Sequence, residues 1–103
     1  MIHPAQIYGE LIPRLTESTI TIGDGGDFVS FAGKFIEPQQ PGRWLDPGPF
    51  GALGTGMGYA LGAGESFPGD PLVLLLGGGA AGFSLMDVDS LVTPCSVHNY
   101  CRQ

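Results

Sequence analysis

Gly77, Gly79 and Gly82 stand at the spacing G-x-G-x-x-G, directly after the apolar run Pro71-Leu-Val-Leu-Leu-Leu76 and before an amphipathic run at residues 83–92. A buried strand that ends in a glycine turn and opens onto a helix directs unpaired backbone N–H groups at one spot, where phosphate oxygens can be held. The chemistry offered is anion binding by the main chain. A nicotinamide-dinucleotide module is one alternative, but it calls for a second strand ending in Asp or Glu about 20 residues further on. Residues 93–103 hold no acid and no strand-like run, and no Walker A sequence is present.

Elements that would position this loop recur along the chain. Pro4 opens a helical pattern with Ile7, Tyr8, Leu11, Ile12 and Leu15 on one face, which Pro13 ends. Residues 18–22, Ser-Thr-Ile-Thr-Ile, read as a strand closed by the turn Gly23-Asp-Gly-Gly26. Phe28, Phe31, Ala32 and Phe35 follow at helical spacing, with Asp27 expected as the N-cap. Trp44-Leu45 is a brief strand, and residues 51–64 are a small-residue helix whose row Gly54, Gly58, Gly62 lets another backbone approach closely. Residues 72–76 are the third strand. Helices alternating with strands predict an α/β three-layer sandwich with a parallel sheet. Ligands in such sheets collect beyond the carboxyl ends of the strands, where residues 23–27, 47–53 and 77–81 form three glycine-rich loops.

Composition narrows the partners. The chain has 103 residues, enough for one domain or part of one, with 43% hydrophobic residues. Its 18 glycines and 9 prolines follow no G-X-Y period. Ten acidic against four basic residues give a net charge of −6, which argues against nucleic acid and anionic membranes. Any phosphate must be held without lysines. The charge-free span 47–64 is too rich in glycine for the ~20 apolar residues a membrane crossing needs. The start Met1-Ile-His-Pro lacks the features of a secretion signal, so the expected compartment is the cytoplasm.

The loops, in order and wording, bring a family into view. Ile20-Thr-Ile-Gly-Asp-Gly-Gly-Asp27, Trp44-Leu-Asp-Pro-Gly-Pro-Phe-Gly-Ala-Leu-Gly54, Gly58-Tyr-Ala-Leu-Gly-Ala63 and Val73-Leu-Leu-Leu-Gly-Gly-Gly-Ala80 resemble the diphosphate-binding domain of thiamine diphosphate enzymes. The likeness is greatest to the acetolactate synthase large subunit and to 2-hydroxyacyl-CoA lyases, and it covers residues 1–92. It implies the thiamine diphosphate-binding fold, with thiamine diphosphate and Mg²⁺ as the parent family's cofactors. It also implies carbon–carbon bond making or breaking next to a carbonyl, in homodimers or tetramers with the site between subunits.

The resemblance further implies roles for named residues. In the family a Gly-Asp-Gly turn holds the metal bridging the diphosphate, and here that turn reads Gly77-Gly78-Gly79. The metal carboxylate is missing, so no metal ligand is expected in this chain. Ala80 and Ala81 match backbone donors at the helix N-terminus, and Gly26 and Asp27 match a loop touching the diphosphate from the other side. Gly51 matches the carbonyl that receives the aminopyrimidine N–H, and Leu53 the apolar wedge that bends the cofactor. Read without the family, Leu53 is an ordinary core leucine. Asp46, Asp87 and Asp89 are expected to be cap or solvated carboxylates. No catalytic residue is expected, because the glutamate that ionises the cofactor belongs to a separate pyrimidine-binding domain in a partner subunit.

After Val92 the resemblance ends. Residues 93–103 are an unmatched tail, such as translation past a frameshift or an altered transcript would give. Its Cys95, His98 and Cys101 lack the fourth ligand of a structural zinc site. The expectation is an incomplete piece of a thiamine diphosphate enzyme contributing the diphosphate half-site, inactive alone. The alternatives are the dinucleotide module and a structural remnant that binds nothing.

Overall fold

The computed structural model describes residues 2–92. Three short strands, β1 (Ile20–Gly23), β2 (Trp44–Leu45) and β3 (Leu72–Leu75), form one sheet in the order β2-β1-β3. Both pairings are parallel, with Thr21 opposite Trp44 on one side and Val73 on the other. Every residue of β1 is buried. A strand paired on both edges and covered on both faces must be apolar or self-satisfying throughout, which Ile-Thr-Ile-Gly is.

The side-chain period of two distributes the core between two layers. Ile20, Ile22, Leu72 and Leu74 pack with Met57, Ala60 and Ala63 of α3 (Gly56–Ser66) and with Leu91 of α5 (Val88–Val92). Leu75 and Val73 face the opposite layer, where Tyr8 of α1 (Pro4–Leu11) meets Val29 and Ala32 of α2 (Asp27–Phe35). The three-layer α/β/α sandwich with a parallel sheet is thus the observed architecture. A further helix, α4 (Gly78–Ser84), follows β3. At the amino edge of the sheet Arg43 pairs with Asp70 at 2.7 Å and lies over the Phe67 ring.

Several boundaries differ from expectation for identifiable reasons. Gly26, at φ +86°, is the N-cap of α2, and Asp27 is instead its first residue, an acidic side chain in the first turn as the helix dipole favours. The predicted helix over residues 51–64 begins only at Gly56, because Gly51 and Gly54 adopt positive φ values of 60° and 92°. Within α3 the row of Gly58 and Gly62 is exposed, and an added Cβ at either meets nothing within 4 Å. The close approach occurs on another face. At Gly56 a Cβ would lie 2.8 Å from Asp24 Cβ, Asp24 Oδ2 and Leu74 Cδ1. The glycine turn after β3 enters α4 itself, so that helix starts at Gly78 rather than near residue 83. Pro13 falls inside a single 3-10 turn, Ile12–Arg14, which continues α1.

Tyr8 joins α1 to α2. Its ring is wholly buried and stacks on Phe28 with centroids 5.1 Å apart, and its hydroxyl donates to the Phe28 carbonyl at 2.7 Å. Burial pushes the hydroxyl pKa up to about 12.

Gly56→Ala should lower stability by about 1–3 kcal/mol through overpacking. Gly58→Ala and Gly62→Ala should each raise it by about 0.5–1 kcal/mol through helix propensity, with urea midpoints as the measurement. For Tyr8 the folded chain holds the phenolic proton more tightly than the unfolded chain, whose pKa is about 10. The associated stability is fully present below pH ~10 and is lost as pH rises towards about 12. Alkaline denaturation of Tyr8→Phe should lack that component, while its stability at neutral pH falls by about 1 kcal/mol for the lost hydrogen bond.

Candidate functional site

Parallel strands place their following loops on one edge. The turn after β1 carries Asp24, Gly25 and Gly26; the segment after β2 runs from Asp46 to Thr55; the turn after β3 carries Gly77 and opens α4. Asp24 N–H donates to the Leu75 carbonyl at 2.9 Å, which extends the β1–β3 ladder into the first turn.

The second segment is shaped by its own hydrogen bonds. Asp46 accepts from Trp44 Nε1 and from Gly48 N–H, each at 2.8 Å, so this carboxylate folds the chain back into the 3-10 turn Gly48–Phe50. Gly51 N–H donates to the Gly48 carbonyl at 3.1 Å and adopts a left-handed conformation that turns the chain towards Leu53. A cleft of about 300 Å³ lies between the first two loops, lined among others by Gly25, Gly26, Ser30, Trp44, Asp46 and Gly51.

The third loop approaches from the other side of β1. Gly77 caps α4 in extended conformation without any side-chain acceptor, and Ala81 N–H donates to its carbonyl at 2.9 Å. Ala81 is therefore occupied within the helix. The first-turn donors at this end are the N–H groups of Gly78, Gly79 and Ala80. Phe83 ties the helix to the second loop, since its Cβ lies 2.8 Å from where a Cβ on Gly54 would sit.

The glycines fall into two groups. At Gly26, Gly51, Gly77, Gly78 and Gly79 an added Cβ meets nothing within 4 Å, so bare backbone borders open space. Gly25, Gly54 and Gly56 lie behind them and are packed tightly, with Gly25 having Leu53 Cδ2 at 2.9 Å and the Gly51 carbonyl oxygen at 3.8 Å from an added Cβ. Leu53 is 42% exposed. That is not the burial of a core leucine; the side chain rests on Gly25 and shows its other side to solvent.

Asp24 escaped the sequence reading, which took Asp27 as the acid of interest in the first loop. Asp24 is fully buried, and its Oδ1 accepts the Gly54 N–H at 2.8 Å. The signal was present in the strand alternation: Ile20 and Ile22 face α3, so residue 24 falls on that same side at the strand end.

Among the described residues no three His, Cys, Asp or Glu side chains gather to hold a metal ion. Cys95, His98 and Cys101, with the rest of residues 93–103, lie outside the described residues. No helix among the described residues is long and apolar enough to cross a membrane.

Comparison with known proteins assigns the family. The model for the thiamine pyrophosphate enzyme C-terminal TPP binding domain matches residues 24–94. The chain is 50% identical over 91 residues, 88% of its length, to a probable acetolactate synthase of Mycobacterium bovis and equally to an acetolactate synthase large subunit of Mycobacterium tuberculosis. It is 43% identical over 91 residues to human 2-hydroxyacyl-CoA lyase 2. The chain spans 17% of the length of the two synthases and 14% of the human lyase. The chain therefore belongs to the thiamine pyrophosphate enzymes, through their C-terminal TPP-binding domain.

Proposed function

We propose that this chain supplies the diphosphate-binding half of a thiamine diphosphate site in a carbon–carbon ligase or lyase resembling acetolactate synthase. The observation that carries the proposal is the bare carboxyl edge, where Gly26, Gly51, Gly77, Gly78 and Gly79 all border open space while the glycines behind them are packed. When bound, the cofactor's thiazolium ring supplies carbanion stabilisation that no side chain of this chain can provide. The chain's own part is to bind and orient. The N–H groups of Gly78, Gly79 and Ala80 at the start of α4 would hold the diphosphate, with Gly26 and Asp27 of the first loop on its other side. The Gly51 carbonyl would receive the aminopyrimidine N–H, and Leu53 would act as the wedge.

The metal does not fit as well as the organic cofactor. Gly78 stands where the family's turn carries a carboxylate, and among the described residues no three His, Cys, Asp or Glu side chains gather to hold a metal ion. Backbone amides at a helix terminus contribute about 0.3–1 kcal/mol to anion binding, rising to about 2 kcal/mol when partly buried. A tenfold gain in affinity takes 1.4 kcal/mol. The cradle of this chain is accordingly weak. We assign the reacting glutamate to a partner subunit, in a cytoplasmic homodimer or tetramer with the site between subunits. The exposed Phe50, Leu53, Phe83 and Met86 support such a covering surface.

Calorimetric titration with thiamine diphosphate should show no Mg²⁺-linked binding at micromolar concentration in this chain. Gly78→Asp alone should gain little. Combined with replacement of residues 93–103 by an apolar strand ending in Asn-Asn, it should gain Mg²⁺-dependent affinity, still without turnover. A well-folded combined variant that binds no better than the original would overturn the cradle, and nicotinamide-dinucleotide binding by the original would restore the alternative.

Leu53→Ala separates wedge from core. A buried leucine costs about 2–5 kcal/mol on truncation, whereas this one should cost under about 1 kcal/mol and should abolish the affinity gained by the combined variant.

A further inference from the structure

Asp24 is the charged side chain of the buried core, at 0% exposure among the described residues. Its Oδ1 accepts the Gly54 N–H at 2.8 Å from 30 residues away, and its Oδ2 is buried with no hydrogen-bond partner. An apolar side chain would fill this place at less cost in desolvation, so packing does not account for the carboxylate. What a carboxylate adds is a short, directional, charge-assisted bond. The bond reaches Gly54, near the end of the loop that carries Gly51 and Leu53 and two residues before α3 begins.

The surroundings make room for this bond and for little else. Gly56 is bare where any side chain would meet Asp24 Cβ and Oδ2 at 2.8 Å. Gly25, at φ +78°, forms the floor beneath Leu53, with an added Cβ only 2.9 Å from Leu53 Cδ2. Residues 24 and 25 thus hold the loop twice, once by a hydrogen bond behind it and once by contact beneath it. We propose that Asp24 is a positioning residue, whose buried carboxylate fixes Gly54 and so sets the position of the loop that carries Gly51 and Leu53 at the open edge. The loop's significance rests on the cofactor reading of Gly51 and Leu53; the latch itself does not.

The test is amide hydrogen exchange in the intact 103-residue chain, comparing Asp24→Ala and Asp24→Asn. In Asp24→Ala, exchange at Gly54 should accelerate at least about tenfold, the loss expected for a hydrogen bond to a charged group. The β1–β3 amides, including that of residue 24 itself, should hold their protection. Asn keeps an acceptor oxygen and should restore most of the protection at Gly54. Unchanged exchange at Gly54, or equal loosening of Gly54 and the sheet, overturns the proposal. If Asp24→Ala does not fold, Asp24→Leu decides, since it fills the volume but offers no acceptor: exchange at Gly54 must rise selectively, and no selective change overturns the latch. Millimolar thiamine diphosphate added to the intact chain should shift the Leu53 methyl resonances, and Asp24→Ala should lose that shift while Asp24→Asn keeps it. A shift that survives Asp24→Ala overturns the positioning role. No shift in the original chain overturns the cofactor reading, and the exchange result still decides the latch.

Discussion

Everything in this fold depends on β1 being paired in parallel on both edges and buried on both faces. Four residues, Ile20–Gly23, receive β2 on one side and β3 on the other. Because both pairings run the same way, every following loop emerges at the same edge, and three stretches distant in sequence become neighbours. The price is that crossovers must pass over the sheet, and α2 and α3 are those crossovers. α2 returns the chain on one face, and α3 returns it on the other.

That geometry was legible because it rests on periodicity. The β-branched run at residues 18–22 and the apolar run at residues 72–76 could be placed as strands, and the helical spacing of Phe28, Phe31, Ala32 and Phe35 as a helix between two of them. In the structure, alternation along these strands sends Ile20, Ile22 and Leu74 to one layer and Val73 and Leu75 to the other. The carboxyl-edge loops were recognisable by their glycines and their wording.

Less legible was which glycine does what. Glycine carries no pattern of its own, so the residues 51–64 read as one helix although positive φ at Gly51 and Gly54 excludes it. The repeat Gly54, Gly58, Gly62 suggested a packing row, yet Gly56 meets the sheet instead, because helix orientation is set by Met57, Ala60 and Ala63. Asp24 was overlooked for a related reason: a buried acid between two glycines resembles turn chemistry until its partner, Gly54, is known. Strand alternation marks the side on which residue 24 falls, but not the N–H that its carboxylate accepts.

Trp44 gives the molecule an optical property. It is the chain's one tryptophan, its ring borders the cleft, and its indole N–H is tethered to Asp46 at 2.8 Å. Emission excited at the red edge of the protein band therefore originates from a single chromophore beside the first two loops. Its wavelength reports the local polarity there, and its quenching by acrylamide reports the opening of the cleft. The fold thus contains an unlabelled gauge of its own carboxyl edge.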